Sequence, residues 1–379
     1  MTTPDDFFKR VFGDSEPTHV GSGWFSGVGS IFLGFLGFGG ALCLHFPALL
    51  TLPDARVHYP MHVIRLLIQG AIVAALVLGA ISSVLRQRKV LALTGLSFAL
   101  AAALLGGGGT PLPEEISSKT GIGFDWFLLD LLVMTLVFLP VERLWPLHPN
   151  QGTFRPEWTT DYFYFLVTHL PAQLLTLLMV LPATMLAHWL AIPNLPEFWT
   201  RLPYIVQLLA AILVADVAQV LVHRAFHAIP LLWRFHAVHH SIRTLDWIAG
   251  SRSHLIDIVF TRGLIMIPIA LLGFSQGVLA GYLVFVSFHA TFCHTDFRPD
   301  PVWLQDWIVT PRYHHWHHAA EPEAVNCNFA IHFPFIDRIF GTCHFPTGRW
   351  PERYGLLDAS MPAGFFAQLV APFRRRRVS

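Results

Sequence analysis

Charge is scarce in this sequence. Asp, Glu, Lys and Arg make up 13% of its 379 residues, against about 25% in an ordinary soluble protein. The two signs nearly cancel, 25 basic against 24 acidic residues, so no overall positive field exists to recruit nucleic acid. Cysteine is scarce as well: Cys43, Cys293, Cys327 and Cys343 form no CxxC pair, which excludes a disulfide-stapled scaffold. Several chemical signatures are missing altogether. No GxxxxGK[ST] or strand-borne GxGxxG supports nucleotide binding, and no GxSxG or HExxH supports a serine hydrolase or zincin. No repeat of 20–50 residues is present. With 54% hydrophobic residues, the chain is also neither disordered nor soluble at this length.

What the chain has in abundance is long apolar runs. They occur near 30–50, 62–83, 90–108, 124–141, 162–190, 203–222, 256–273 and 276–292, and roughly 20 residues suffice for a helix to span a bilayer. This predicts an all-α, polytopic transmembrane helical bundle of about eight spans. The 162–190 run, broken by Pro171 and Pro182, reads as one tilted span or a re-entrant pair. The first run lacks a basic segment directly before it and reads as a span rather than a cleaved signal peptide. Gly273 to Gly277 turn the last two runs into a helical hairpin.

Orientation follows from the Lys/Arg balance of short loops. A cytoplasmic N-terminus puts Lys9, Arg10, Arg86, Arg88, Lys89, Arg143 and Arg155 inside, leaving Arg56, Arg65, Lys119 and Arg201 on the other face. Segments 223–255 and 293–379 then lie on the cytoplasmic side, as do both termini. The tail Arg374–Arg377 there is a candidate for contact with anionic headgroups. Three regions result: residues 1–120 with extra spans, a core at 121–345, and a basic tail at 346–379.

Histidine is the second excess. Of 21 histidines, fourteen fall between His223 and His344. Eight of these form three motifs: His223-x-x-x-His227, His236-x-x-His239-His240 and His314-x-x-His317-His318. Helical residues three and four apart share a face with Cβ atoms about 5–6 Å apart, so each motif presents its imidazoles together. His315 projects away from His314. Eight neutral imidazoles exceed the needs of one tetrahedral ion and divide into two sites of about four, forming a dinuclear centre in a cytoplasmic, histidine-rich helical cap. Ligation by nitrogen alone suits iron, copper or zinc, and iron with open positions can activate O₂. Asp216 lies seven residues before His223, nearly two turns along the same face. An acid inside a membrane helix needs a partner, and metal-bound imidazoles commonly donate their other N–H to a carboxylate. Asp216 is therefore expected to orient a box histidine, whereas Asp257 and Asp296 read as ordinary solvated acids. Isolated histidines such as His45, His169, His188 and His289 read as packing residues.

The order HxxxH, HxxHH, HxxHH among hydrophobic spans resembles the fatty acid hydroxylase superfamily, which includes sterol desaturases, sphingolipid hydroxylases and alkylglycerol monooxygenase. The resemblance extends to Asp216–His227, to Leu232–His236, to Thr310-Pro311-Arg312-Tyr313-His314, to Asn328-Phe329 and to Asp337–Thr342, covering about 130–345. It implies a non-haem di-iron centre that uses O₂ and two electrons to oxidise an unactivated C–H bond of a lipid, by hydroxylation or desaturation. It assigns the eight box histidines as iron ligands and suggests His254 and His294 as further ones. Leu255 stands where many relatives carry proline after the histidine matching His254. No HPGG cytochrome b5 signature or flavin fingerprint occurs. Electrons are therefore expected from an external donor protein of cytochrome b5, ferredoxin or reductase type. The rival reading is a membrane zinc-binding or transport protein without redox chemistry.

Overall fold

A computed structural model describes residues 17–112, 121–190, 195–357 and 360–374. Lys9, Arg10, Lys119 and Arg375–Arg377 of the orientation argument lie outside these residues. The described residues form helices and loops with no strand among them; Pro146–Phe297 and Ala319–Tyr354 make isolated bridges. Two compact units emerge: residues 1–133 with 169–174, and residues 134–168 with 175–379.

The first unit is built on α1 (Trp24–His45), α2 (Met61–Leu85) and α3 (Val90–Leu104). Small residues let these helices approach closely. A Cβ added at Gly27, Gly34 or Gly37 of α1 would come within 2.7–2.8 Å of Leu91, the Gly95 carbonyl or Ile72. Ser30 fills the same seam and donates to the Ala75 carbonyl. The helix α4 (Phe124–Leu144) runs from this unit into the second.

The second unit continues with α5 (Trp158–His169), α6 (Ala172–Leu190), α7 (Tyr204–Ala228), α8 (Pro230–His239), α9 (Leu255–Leu272), α10 (Gln276–His294), α11 (Pro311–His317) and α12 (Pro334–Phe340). Seven helices among the described residues are long and apolar enough to cross a membrane: α1 to α4, α7, α9 and α10. The remaining run, 162–190, is interrupted at Leu170-Pro171 between α5 and α6, as expected where proline removes a helical donor. α7 packs on α9 and α10 through Ala211, Ile212, Ala215, Ile265, Ile269 and Val286. Because α7 and α10 run oppositely to α9, the C-terminal ends of the first two and the N-terminal end of α9 meet at one pole. That pole carries the histidines.

The segment after residue 345 does not hang free. Phe365 is buried against Tyr164, with ring centroids 4.8 Å apart, and the Leu369 carbonyl accepts from His254. Arg155, counted above as a topological charge, is buried and bonds Asp161 and Asp246 at 2.6–2.7 Å.

Candidate metal centre

Helix ends deliver the three motifs: the long α7 brings His223 and His227, and the short α8 and α11 bring the other two. α7 ends at Ile229, whose extended backbone (φ −92°, ψ 114°) lets Pro230 open α8 in a new direction. Pro311 likewise opens α11 at its first turn, where proline's missing donor costs nothing. α8 is thereby folded back so that His236 and His240 face His223 and His227.

The imidazoles assemble into two clusters: His223, His227, His236, His240 and His317 in one, and His239, His294, His314 and His318 in the other. Within each, one ring nitrogen from every residue lies within 4.8 Å of all the others. The HxxHH motifs divide between the clusters. At the end of α8, His236 and the capping His240 join the first and His239 joins the second, whereas at the end of α11, His314 and the capping His318 join the second and His317 the first. All eight box histidines are therefore brought together, and His294 joins them from the end of α10.

The chemistry of the rings shows whether an ion fits. His223 Nδ1 donates to the Phe329 carbonyl at 3.0 Å, His239 to Arg252 at 3.0 Å, His294 to Ala290 at 2.7 Å and His317 to Cys327 at 2.7 Å. His236 Nδ1 donates to Asp257 Oδ2 at 2.8 Å, and His227 Nδ1 to the Asn326 side-chain oxygen at 3.2 Å. Each of these oxygens only accepts, so the proton of each neutral ring sits on Nδ1 and Nε2 is a bare lone pair. Yet His223 Nε2 lies 2.9 Å from His236 Nε2, and His239 Nε2 lies 3.4 Å from His294 Nε2. Facing lone pairs repel unless a cation lies between them. Two nitrogens bound about 2.0–2.1 Å from one ion at roughly 90–110° would stand roughly 2.9–3.4 Å apart. His317 Nε2, buried with no hydrogen-bond partner among the described residues, is a further free lone pair. Burial and neighbouring imidazoles hold His239, His240, His314, His317 and His318 well below the usual histidine range, which keeps them neutral and able to ligate.

Two expected residues have other partners. His254 lies outside both clusters. Its Nδ1 accepts from the Ile256 N–H at the start of α9, and its Nε2 donates to Leu369, so both nitrogens are already engaged. Asp216 orients no histidine ring directly. Its carboxylate accepts the backbone N–H groups of Ile331, His332 and Phe333 at 2.6–3.1 Å. Asp337 accepts those of Phe329 and Ala330 and the Tyr313 hydroxyl. Together they fix the segment whose Phe329 carbonyl holds His223, so Asp216 acts one step removed. The carboxylate that does hold a box histidine is Asp257, 4% exposed rather than solvated, and further tied to the Thr261 hydroxyl. Asp296 is also buried and bonds His148 at 2.6 Å. His315 turns away as expected, between Tyr354 and the Thr295 carbonyl, and His289 bonds His332 and Val309.

Long apolar helices that end on paired imidazole clusters define a multi-pass membrane protein with histidines placed to hold metal. Comparison with known proteins agrees: the fatty acid hydroxylase family matches residues 208–342. The ornithine lipid hydroxylase OlsE of Rhizobium tropici is 30% identical over 258 residues, 66% of this chain and 76% of the relative. Alkylglycerol monooxygenase of Danio rerio is 30% identical over 132 residues, covering 35% of this chain and 29% of its own length. The human alkylglycerol monooxygenase is 28% identical over 120 residues, covering 32% and 26%. No solved structure matches. The chain belongs to the fatty acid hydroxylase family.

Proposed function

We propose that this protein is an integral membrane di-iron oxidoreductase that hydroxylates a C–H bond of a membrane lipid with O₂. The observation that carries the proposal is the pair of adjacent imidazole clusters with opposed lone pairs. His223, His227, His236, His240 and His317 would hold one iron, and His239, His294, His314 and His318 the other. When bound, the pair supplies the redox chemistry that activates O₂.

The protein's own contribution is placement. Backbone carbonyls, Asp257 and Asn326 hold ring orientation and tautomer before any ion arrives, which supports a preorganised site. The ligands lie at the ends of apolar helices, so a lipid tail can reach them laterally from the bilayer while water is excluded. Hydroxylation is preferred over desaturation because the relatives are named as hydroxylases and a monooxygenase. The two electrons come from a separate donor protein docking at the cytoplasmic pole. The cytoplasmic assignment rests on the Lys/Arg balance, with Arg155 removed from it as a buried ion-pair partner.

Mass spectrometry of lipids from cells expressing the wild type and His239→Ala tests this reading. One lipid class should gain an oxygen only with the wild type. Loss of two hydrogens would redirect the proposal to desaturation, and identical extracts would oppose lipid oxidation.

A further inference from the structure

The two clusters are unequally supported. In the five-histidine cluster, four Nδ1–H groups end on oxygen: those of His223, His227, His236 and His317. In the four-histidine cluster, His239 and His294 are anchored in this way. The Nδ1 atoms of His314 and His318 are buried and meet no hydrogen-bond partner among the described residues. Their rings are positioned by packing instead. His314 lies 4.4 Å from the His294 ring and His318 lies 4.5 Å from the His239 ring, centroid to centroid. His314 lies in the short helix α11 and His318 caps its C-terminal end, and both belong to the same cluster.

An imidazole whose second nitrogen is bonded is held in the ligating tautomer and orientation. Without that bond, the ring keeps rotational and tautomeric freedom that binding must remove. Loss of one such partner typically lowers metal affinity by about 10–100-fold. The less anchored cluster also offers four imidazoles rather than five. We infer that the two metal positions differ in affinity: the ion held by His239, His294, His314 and His318 binds last and leaves first, so that a one-metal form occupying the five-histidine cluster exists between the empty and full states. This rests on the metal-binding reading above, but not on the identity of the lipid or on the reaction.

Cobalt(II) titration of metal-free full-length protein in lipid nanodiscs, in competition with a chromophoric chelator, tests it without measuring turnover. Two binding steps are expected, separated by at least about tenfold in affinity. His318→Ala should abolish the weaker step and leave the tighter one, whereas His227→Ala should remove or weaken the tighter step. Staged removal of metal from the wild type needs no variant, and at one ion per chain X-ray absorption should report five imidazole nitrogens rather than four. Two steps of equal affinity, or a one-ion form with four imidazoles, would overturn the inference while leaving metal binding intact. Failure to bind cobalt, zinc or iron at all would instead overturn the metal reading itself.

Discussion

An oxygen on the far side of the ring decides which imidazole nitrogen of this site is free to meet a metal. His236 is available because Asp257 holds its Nδ1 proton, and His223 because the Phe329 carbonyl does. Asp257→Leu should therefore lower bound metal, with affinity falling about 10–100-fold, as measured by metal analysis of the folded protein; unchanged affinity would remove Asp257 from this role. Asp216→Asn predicts a different outcome. An amide has one accepting oxygen for three backbone donors, so at least one buried N–H loses its partner, at a cost of about 1–3 kcal/mol. Thermal stability should fall more than metal content; the reverse would show a direct ligand-orienting role. His254→Ala should retain the metal stoichiometry of the wild type, because both its nitrogens serve α9 and Leu369 rather than a cluster. The box histidines were legible because helical spacing is written in residue identity. Their anchors were not: four are backbone carbonyls, which any residue carries, and Asp257 resembles a surface acid until α9 buries it.

At the scale of elements, the helix ends carry the site, and an ion network stiffens the loop among them. Arg252 donates to Asp161 at 2.5 Å and to Glu157 at 3.2 Å, while Arg155 bridges Asp161 and Asp246. The carbonyl of this same Arg252 holds His239. Asp161→Ala would leave two buried guanidiniums short of a carboxylate, a change that typically costs about 3–5 kcal/mol. A large drop in melting temperature is expected, and a variant as stable as the wild type would contradict the network's role. The spans were legible from hydrophobic run length, including the ambiguous run at 162–190, where Pro171 marks the break between α5 and α6. The division of each HxxHH motif between two clusters was not legible. Spacing places three rings on one face, but only the angle at Ile229 and the approach of α11 decide which ring meets which partner.

For the whole molecule, neutral buried imidazoles make stability depend on pH. Burial depresses His236, His239, His240, His314, His317 and His318 well below the ordinary value, whereas in the unfolded chain they titrate near ~6.5. Below that pH the unfolded chain binds more protons than the folded one, so the metal-free protein should be most stable above about 6.5 and lose stability progressively on acidification. Melting temperatures across this range check the sign; a flat profile would mean that these rings are not held neutral. The central claim is that nine gathered imidazoles form a paired metal centre for lipid oxidation. Its most direct test supplies isotopically heavy O₂ and a chemical reductant to iron-reconstituted protein in nanodiscs of mixed membrane lipid. Two irons per chain and one heavy oxygen atom in a lipid product are predicted. Retention of zinc alone, with no O₂ consumed and no labelled lipid, would contradict the account.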